Sequence, residues 1–254
     1  MGERYVVPLD LGDTEADRGL YYLRRGGEKE VGKRIAVYIG GCQRKIIVDT
    51  GAPDPERAFR NHPYSKPHPL KPNQGILAQL AQVGITPAEI EIVVLTHLHW
   101  DHVGGVSLFP NAEFIVSGEE LKFALDPVPC LYLAYEARQL GMQPEFSKVI
   151  DRIKTIDLKE EDIVEGVRVI PLTGHTPGNI GVVVDTPDGP HVIAGDAAPK
   201  YANLNGSPEQ GQRFIMSGIY TDMIAMWKSL ERIDEIVDHD YSRVIPGHDP
   251  LVFK

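Results

Sequence analysis

Residues 96–105 read THLHWDHVGG, and no other stretch constrains this chain so tightly. Six consecutive positions hold His97, His99, Asp101 and His102. Such groups are poor core residues unless something pairs them. Yet they follow at once on EIVVL, an apolar run that reads as a buried strand. Loops at strand ends are where a scaffold presents functional groups. A tight turn here can aim imidazoles and a carboxylate at one point. These donor types suit Zn, Fe, Mn or Ni, and with no cysteine nearby a thiolate site is disfavoured. Gly104 and Gly105 let the backbone pass close to the site. A reading without metal would need three polar rings satisfied by hydrogen bonds inside one turn.

Four donors from one turn do not saturate two metals, and they are too cramped to share one. Further donors are therefore expected at other strand ends. PLTGHTPGN places His175 after an apolar run over 167–172, HVIAGDAA places Asp196 after another, and RVIPGHDP places His248 after the last. Each follows a Gly or Pro turn and offers a single metal-competent side chain.

The rest of the chain supplies strands to carry these turns. RIAVYIG (34–40) and KIIVDTG (45–51) read as adjacent strands of a meander, followed by EIVVLTH and AEFIVS. VRVIPLTGH, IGVVVDTPDG, HVIAGDA and SRVIPGHD form a second group. Helical segments lie between. NQGILAQLAQVG is one, and TPAEIE opens another, with Thr86 as N-cap, Pro87 at the first helical position and Glu89 as capping-box partner. TDMIAMWKSLERIDEIV is the clearest helix, with Met223, Trp227, Leu230 and Ile233 on one packing face. Helices around 118–150 separate the two strand groups. Two β-sheets packed together with helices outside is the expected architecture. The Pro-rich loop over 61–75 is long enough to act as a surface lid.

Composition narrows the function. The 254 residues fit one large domain or two small ones, and we expect a single domain over 1–254. A net charge of −10 argues against a nucleic-acid partner. No apolar run approaches the ~20 residues of a membrane span, and the charged N-terminus lacks a signal-like core. A cytoplasmic protein without a membrane partner is expected. Cys42 and Cys130 form no paired metal motif and read as buried free thiols.

Taken in order, IIVDTG, HLHWDH, GHTPGN, GD and GHD give this sequence a resemblance to the metallo-β-lactamase-fold hydrolase superfamily over residues 46–249. The resemblance implies an α+β fold, a four-layer αβ/βα sandwich of two mixed β-sheets face to face with helices outside. It implies two divalent metal ions per chain, zinc foremost, with Fe, Mn or Co as alternatives. His97, His99 and His175 would hold the first ion. Asp101, His102 and His248 would hold the second, and Asp196 would bridge both. Asp49 would be a buried structural aspartate.

Within the superfamily, the sequence is most similar to the quorum-quenching N-acyl-homoserine lactonase group. The likeness includes VDTG, the long lid and the stretch GIYTDMIAMWKSLERI. It implies opening of a lactone or ester by a hydroxide shared between the metals, with Asp101 relaying a proton to the leaving alkoxide. The alternatives are hydrolysis of a thioester, cyclic amide or phosphodiester, or a mononuclear-iron dioxygenase of the same fold. Two positions depart from the lactonase pattern. Pro199 stands where a carbonyl-binding tyrosine is usual, leaving Tyr201 as its candidate substitute with Lys200 beside it, and Asn179 stands where a histidine is usual. Phe59, Tyr64, Leu70, Tyr132 and Tyr135 are candidates for the substrate wall. His62, His68, His191 and His239 match no motif and read as solvent or loop residues, with His62 and His68 placed to line the substrate mouth. The expected partner is a small molecule, with a homodimer as the assembly left open.

Overall fold

Strand side chains alternate between two faces, and here both faces are covered. The computed structural model describes residues 2–254. One sheet comprises β1 (Tyr5–Asp17), β2 (Lys29–Gly40), β3 (Ile46–Val48), β4 (Ser65–Pro67), β5 (Ile92–Val94), β6 (Glu113–Ser117) and β7 (Ile153–Ile156). Its order is β4-β1-β2-β3-β5-β6-β7. Pairing is antiparallel from β4 to β3 and parallel from β3 to β7. The other sheet comprises β8 (Glu161–Val164), β9 (Val167–Pro171), β10 (Ile180–Thr186), β11 (Gly189–Gly195) and β12 (Val244–Pro246), in the order β12-β11-β10-β9-β8. Only its β11–β12 pair is parallel.

The period-2 pattern of β2 shows how the layers form. Ile35, Val37 and Ile39 enter the core between the sheets, with Val48, Val94, Val169 and Val182. Ala36 and Tyr38, one residue out of step, join the opposite core with Leu80, Val93 and Phe114. Helices α1 (Pro55–Asn61), α2 (Ile76–Gln82), α3 (Trp100–Val103), α4 (Gly118–Leu125), α5 (Tyr201–Asn205) and α6 (Met223–Val237) complete the set. Leu230, Ile233 and Val237 of α6 pack on Ile170, Val183 and Val192 of the second sheet. The expected sandwich of two mixed sheets with outer helices is observed. Among the described residues no helix is long and apolar enough to cross a membrane.

Several local expectations are corrected. The long strand β1 has no counterpart among the expected strands, because Pro8, Gly12 and a bulge between Asp10 and Asp13 interrupt its alternation. The short strands β4, β7 and β8 lack a pattern of their own. TPAEIE forms its capping box but only one 3₁₀ turn, Pro87–Glu89. Residues 118–150 contain one α-helix, α4, and then 3₁₀ turns beginning near Pro129 and Pro144. In α6, Met223 is exposed and Met226 takes its place in the core. Cys42 is half-buried and Cys130 exposed, so neither is the buried thiol expected. The loop over 61–75 is partly pinned, because Ser65–Pro67 pairs with β1.

The turn after α3 meets the turn after β3. The Gly104 N–H donates to the Gly51 carbonyl at 2.6 Å. A Cβ at Gly104 would lie 1.9 Å from the Pro53 nitrogen and 2.0 Å from the Ala52 carbonyl carbon. Both obstacles are backbone, so neither turn can yield cheaply. Gly104→Ala is expected to destabilise the fold by about 1–3 kcal/mol, read as a lowered urea midpoint. An unchanged midpoint would show that the two turns can separate freely.

Candidate metal centre

Strands of both sheets deliver their C-terminal ends to one place. β5 runs into His97 and His99, and α3 carries Asp101 and His102. His175, Asp196 and His248 follow β9, β11 and β12. All of these except the half-buried Asp101 are buried. Their donor atoms form three overlapping sets: His97, His99 and His175; His97, His102 and Asp196; and Asp101, His102 and His248. Within each set the atoms lie within 4.8 Å of one another. The structure therefore brings together every predicted ligand.

Hydrogen bonds behind the rings fix where their protons sit. Asp49, at φ +59, accepts from the Thr96 N–H and the Thr96 hydroxyl, each at 2.8 Å. It also accepts from His102 Nδ1 at 2.8 Å. The Thr96 hydroxyl gives its proton to Asp49, so it accepts from His97 Nδ1 at 3.0 Å. His175 Nδ1 donates to the Ile219 carbonyl at 3.1 Å, and His248 Nδ1 to the Lys33 carbonyl at 2.7 Å. In the neutral form of each of these four rings, then, Nε2 is a bare lone pair facing inward.

Those inward atoms fit a cation and little else. His97 Nε2, His102 Nε2 and Asp196 Oδ1 are buried without a hydrogen-bond partner. His248 Nε2 lies 3.0 and 3.2 Å from the two Asp196 oxygens. His175 Nε2 lies 3.1 Å from His99 Nδ1. His99 Nδ1 donates to His175 Nε2 in one tautomer only, and a bare His248 Nε2 is repelled by Asp196 unless a proton or a metal cation sits between them. Proton affinities carry the same signal. Burial, reinforced by neighbouring imidazoles, pushes His97 and His99 well below the usual histidine range, and burial also lowers His175. Burial opposes charge on His102 and His248 too. Asp196, joined at His102 by Asp49, nevertheless holds His102 well above that range and raises His248. Burial alone would raise Asp196, but His248, His102 and His175 hold it well below the usual carboxylate range. The residues present fit bound metal ions.

Glu120, which no motif flagged, knits two ligand turns together. It is fully buried and accepts from Leu98 N, Tyr135 Oη, Thr176 Oγ1 and Gly178 N at 3.0, 2.9, 2.6 and 3.3 Å. Burial outweighs these bonds and leaves its carboxyl above the usual range. Its only sequence signal is its place in the first turn of α4, where an acid commonly serves the helix itself.

Beside the cluster is a cavity of about 80 Å³. Tyr21, Tyr64, Trp100, Ile219 and Pro199 line it with Asp101, His99, His175, Asp196 and His248. Tyr201 is not in it, because its hydroxyl donates to the Val244 carbonyl at 2.9 Å. This corrects the expectation that Tyr201 replaces the missing tyrosine. Lys200 is also engaged, its Nζ donating to the Val31 carbonyl at 3.1 Å. Asn179 donates to the Leu172 carbonyl at 2.9 Å, which makes it a turn residue. Of the wall candidates only Tyr64 lines the cavity. Phe59 is exposed, Leu70 belongs to a separate groove, and Tyr135 is buried behind His99. Tyr132 is half-buried outside the cavity. His62, expected in solvent, is fully buried, whereas His68 and His191 are half-buried and His239 is exposed.

The sequence pattern of the Metallo-beta-lactamase superfamily matches residues 33–248. An N-acyl homoserine lactonase AttM of Azorhizobium caulinodans is 27% identical over 71% of this chain. That match spans 66% of the relative, just under two thirds of its length. An N-acyl homoserine lactonase AiiB of Agrobacterium fabrum is 26% identical, covering 98% of this chain and 94% of its own. The crystal structure of a quorum-quenching N-acyl homoserine lactone hydrolase superposes with a TM-score of 0.75 at 23% identity, over 100% of this chain and 96% of that one. AidC, a dizinc quorum-quenching lactonase in complex with a product, gives 0.73 at 18% identity, over 98% of this chain and 88% of its own.

Asp49 is the residue on which the ring protons depend. In Asp49→Asn one oxygen becomes an NH₂ facing donors, so at least one buried partner is left unsatisfied. The expected cost is about 1–3 kcal/mol of stability and roughly 10–100-fold in metal affinity. Urea unfolding and competition with a chromophoric chelator measure the two. Wild-type values for both would remove Asp49 from the support of the centre.

Proposed function

Because the chain belongs to the Metallo-beta-lactamase superfamily, we propose that it is a dinuclear metal-dependent hydrolase that opens lactone or ester bonds. His97, His99 and His175 would hold one ion and Asp101, His102 and His248 the other, with Asp196 as a further donor. Zinc is the proposed metal, since imidazole and carboxylate donors without thiolate suit it. The observation that carries this reading is the convergence of unpartnered, inward-facing lone pairs from His97, His102 and Asp196. The names of the relatives support lactones as the substrate class.

Two bound divalent cations supply ionised water at neutral pH and polarise a carbonyl. The chain's own residues do the rest. The cavity walls hold the substrate and restrict water. Asp101 lines the cavity and is the least buried carboxylate of the cluster. It takes the remaining proton of the attacking oxygen once that oxygen has added to the carbonyl carbon. As the acyl C–O bond breaks, its electron pair stays on the departing oxygen, and Asp101 returns the proton there. The four fixed rings need no reorientation during this exchange.

Protein loaded with excess zinc is expected to retain close to two ions per chain, and His248→Ala close to one. Acid release from a γ-lactone, followed with a pH indicator, should require the metal. One ion per wild-type chain would overturn the dinuclear reading. Turnover of a phosphodiester or thioester without turnover of any lactone or ester would overturn the substrate class.

A further inference from the structure

One tyrosine beside the cluster has a ring held from several sides and a hydroxyl that holds nothing. Tyr21 follows the 3₁₀ turn Arg18–Leu20 and is 6% exposed. Its ring centroid lies 6.3 Å from that of Tyr22 and 6.0 Å from that of the candidate ligand His248. The Lys200 ammonium stands over its face, 4.5 Å from the centroid, an attraction that keeps the ring in place. Lys200 is itself fixed, by Glu30 at 3.2 Å and by the Val31 carbonyl at 3.1 Å.

The Tyr21 hydroxyl makes no hydrogen bond among the described residues, and it is not one of the unpartnered atoms sealed away from open space. The cavity that Tyr21 lines is that of the cluster, shared with Pro199, Asp101 and Asp196. The backbone makes room for this hydroxyl. It lies over Gly32 of β2, where a Cβ would come within 2.2 Å of it. Outside Tyr21, the nearest atom to that Cβ would be the His248 carbonyl oxygen, in ordinary contact at 3.5 Å. Burial, joined by the Asp101 and Asp196 carboxylates, raises the phenol above its usual range, so at neutral pH it keeps a proton to donate.

We propose that Tyr21 is a catalytic residue whose hydroxyl donates a hydrogen bond to the substrate's carbonyl oxygen as that oxygen turns negative, the role left open by Pro199. This rests on the lactone or ester hydrolase reading. The donor comes from the turn between β1 and β2 instead of the loop after β11, so a different element brings a phenol to the carbonyl. Its proton stays on Tyr21 throughout, and the proton given to the departing oxygen remains that of Asp101. A donor aimed at charge that develops only during the reaction has no partner before it, which accounts for the idle hydroxyl.

Tyr21→Phe tests this, because it keeps the ring over Lys200 and removes only the hydroxyl. No bond within the protein is lost, so the urea midpoint is expected to stay level or rise, with zinc content as in wild type. On a γ-lactone, kcat of the zinc-loaded variant should fall about 10²–10³-fold with KM little changed. Calorimetry supplies a readout without turnover. A five-membered cyclic phosphonate, whose tetrahedral anion mimics the carbonyl under attack, should bind about 10–100-fold more weakly, the worth of a hydrogen bond to a charged group. Gly32→Ala displaces the hydroxyl with Tyr21 still present and should lower both quantities as well. Wild-type kcat or wild-type phosphonate affinity in Tyr21→Phe would overturn the proposal. Lost zinc or a lowered urea midpoint in that variant would also overturn it, by making Tyr21 a structural support. Absence of lactone or ester turnover in wild type would tell against the hydrolase reading alone, and the phosphonate comparison would still decide this one.

Discussion

Five imidazoles and two aspartate carboxylates crowd one small volume, and the charge balance among them is the constraint to which the surrounding structure answers. The protein maintains that balance by fixing four of the five rings, all but His99, from behind. Asp49, Thr96, the Ile219 carbonyl and the Lys33 carbonyl each hold a ring N–H. Those partners come from loops of both sheets and from β2. None of these four rings can turn away to relieve the crowding without abandoning a buried hydrogen bond. The arrangement is favourable only with positive charge at its centre, whether protons on His102 and His248 or a bound cation.

The two-sheet architecture makes this support available. A strand end delivers a side chain to a fixed point because the strand behind it is packed on both faces. β5 shows this directly: Val94 sits in the core between the sheets and Val93 in the core beneath the helices. Three residues later the chain reaches His97. Asp49 stands at the equivalent end of β3, the parallel neighbour of β5. Their parallel register places its carboxylate against Thr96, which is why one aspartate can govern two neighbouring ligands. Gly104, packed against Ala52 and Pro53, brings the turn of His102 within reach of the same aspartate.

Around the metal ligands runs a second layer of buried charge. Glu120 ties the turn of His97 and His99 to the turn of His175, while Glu136 and His62 tie the lid to Trp100. Both carboxylates are buried and hydrogen-bonded, as the cost of isolated buried charge demands. They divide the work. Glu120 fixes the turns that carry the candidate ligands and does not line the cavity, whereas the Glu136 network ends on Tyr64, a residue that does.

The candidate ligands are legible in the sequence because each sits at the end of an apolar run beside a Gly or Pro turn, a local pattern that survives in one dimension. His97, His99, Asp101, His102, His175, Asp196 and His248 all carry that signal, and most strands and the sandwich class are legible in the same way. Tyr201, His62 and β1 are not. Tyr201 stands two residues beyond Pro199, yet its hydroxyl is drawn to Val244, 43 positions later. His62 lies in a polar, proline-rich loop, and only its stacking on Trp100 and its bond to Glu136, 74 positions away, bury it. β1 carries a bulge that erases its alternation, and its register on β2 restores the strand. Sequence alone determined the donor types, their order and the strand ends that bear them, because these depend on residue chemistry and short-range periodicity. Tertiary structure decided which way each proton points and which aromatic faces the cavity, because those depend on hydrogen bonds between residues far apart in the chain.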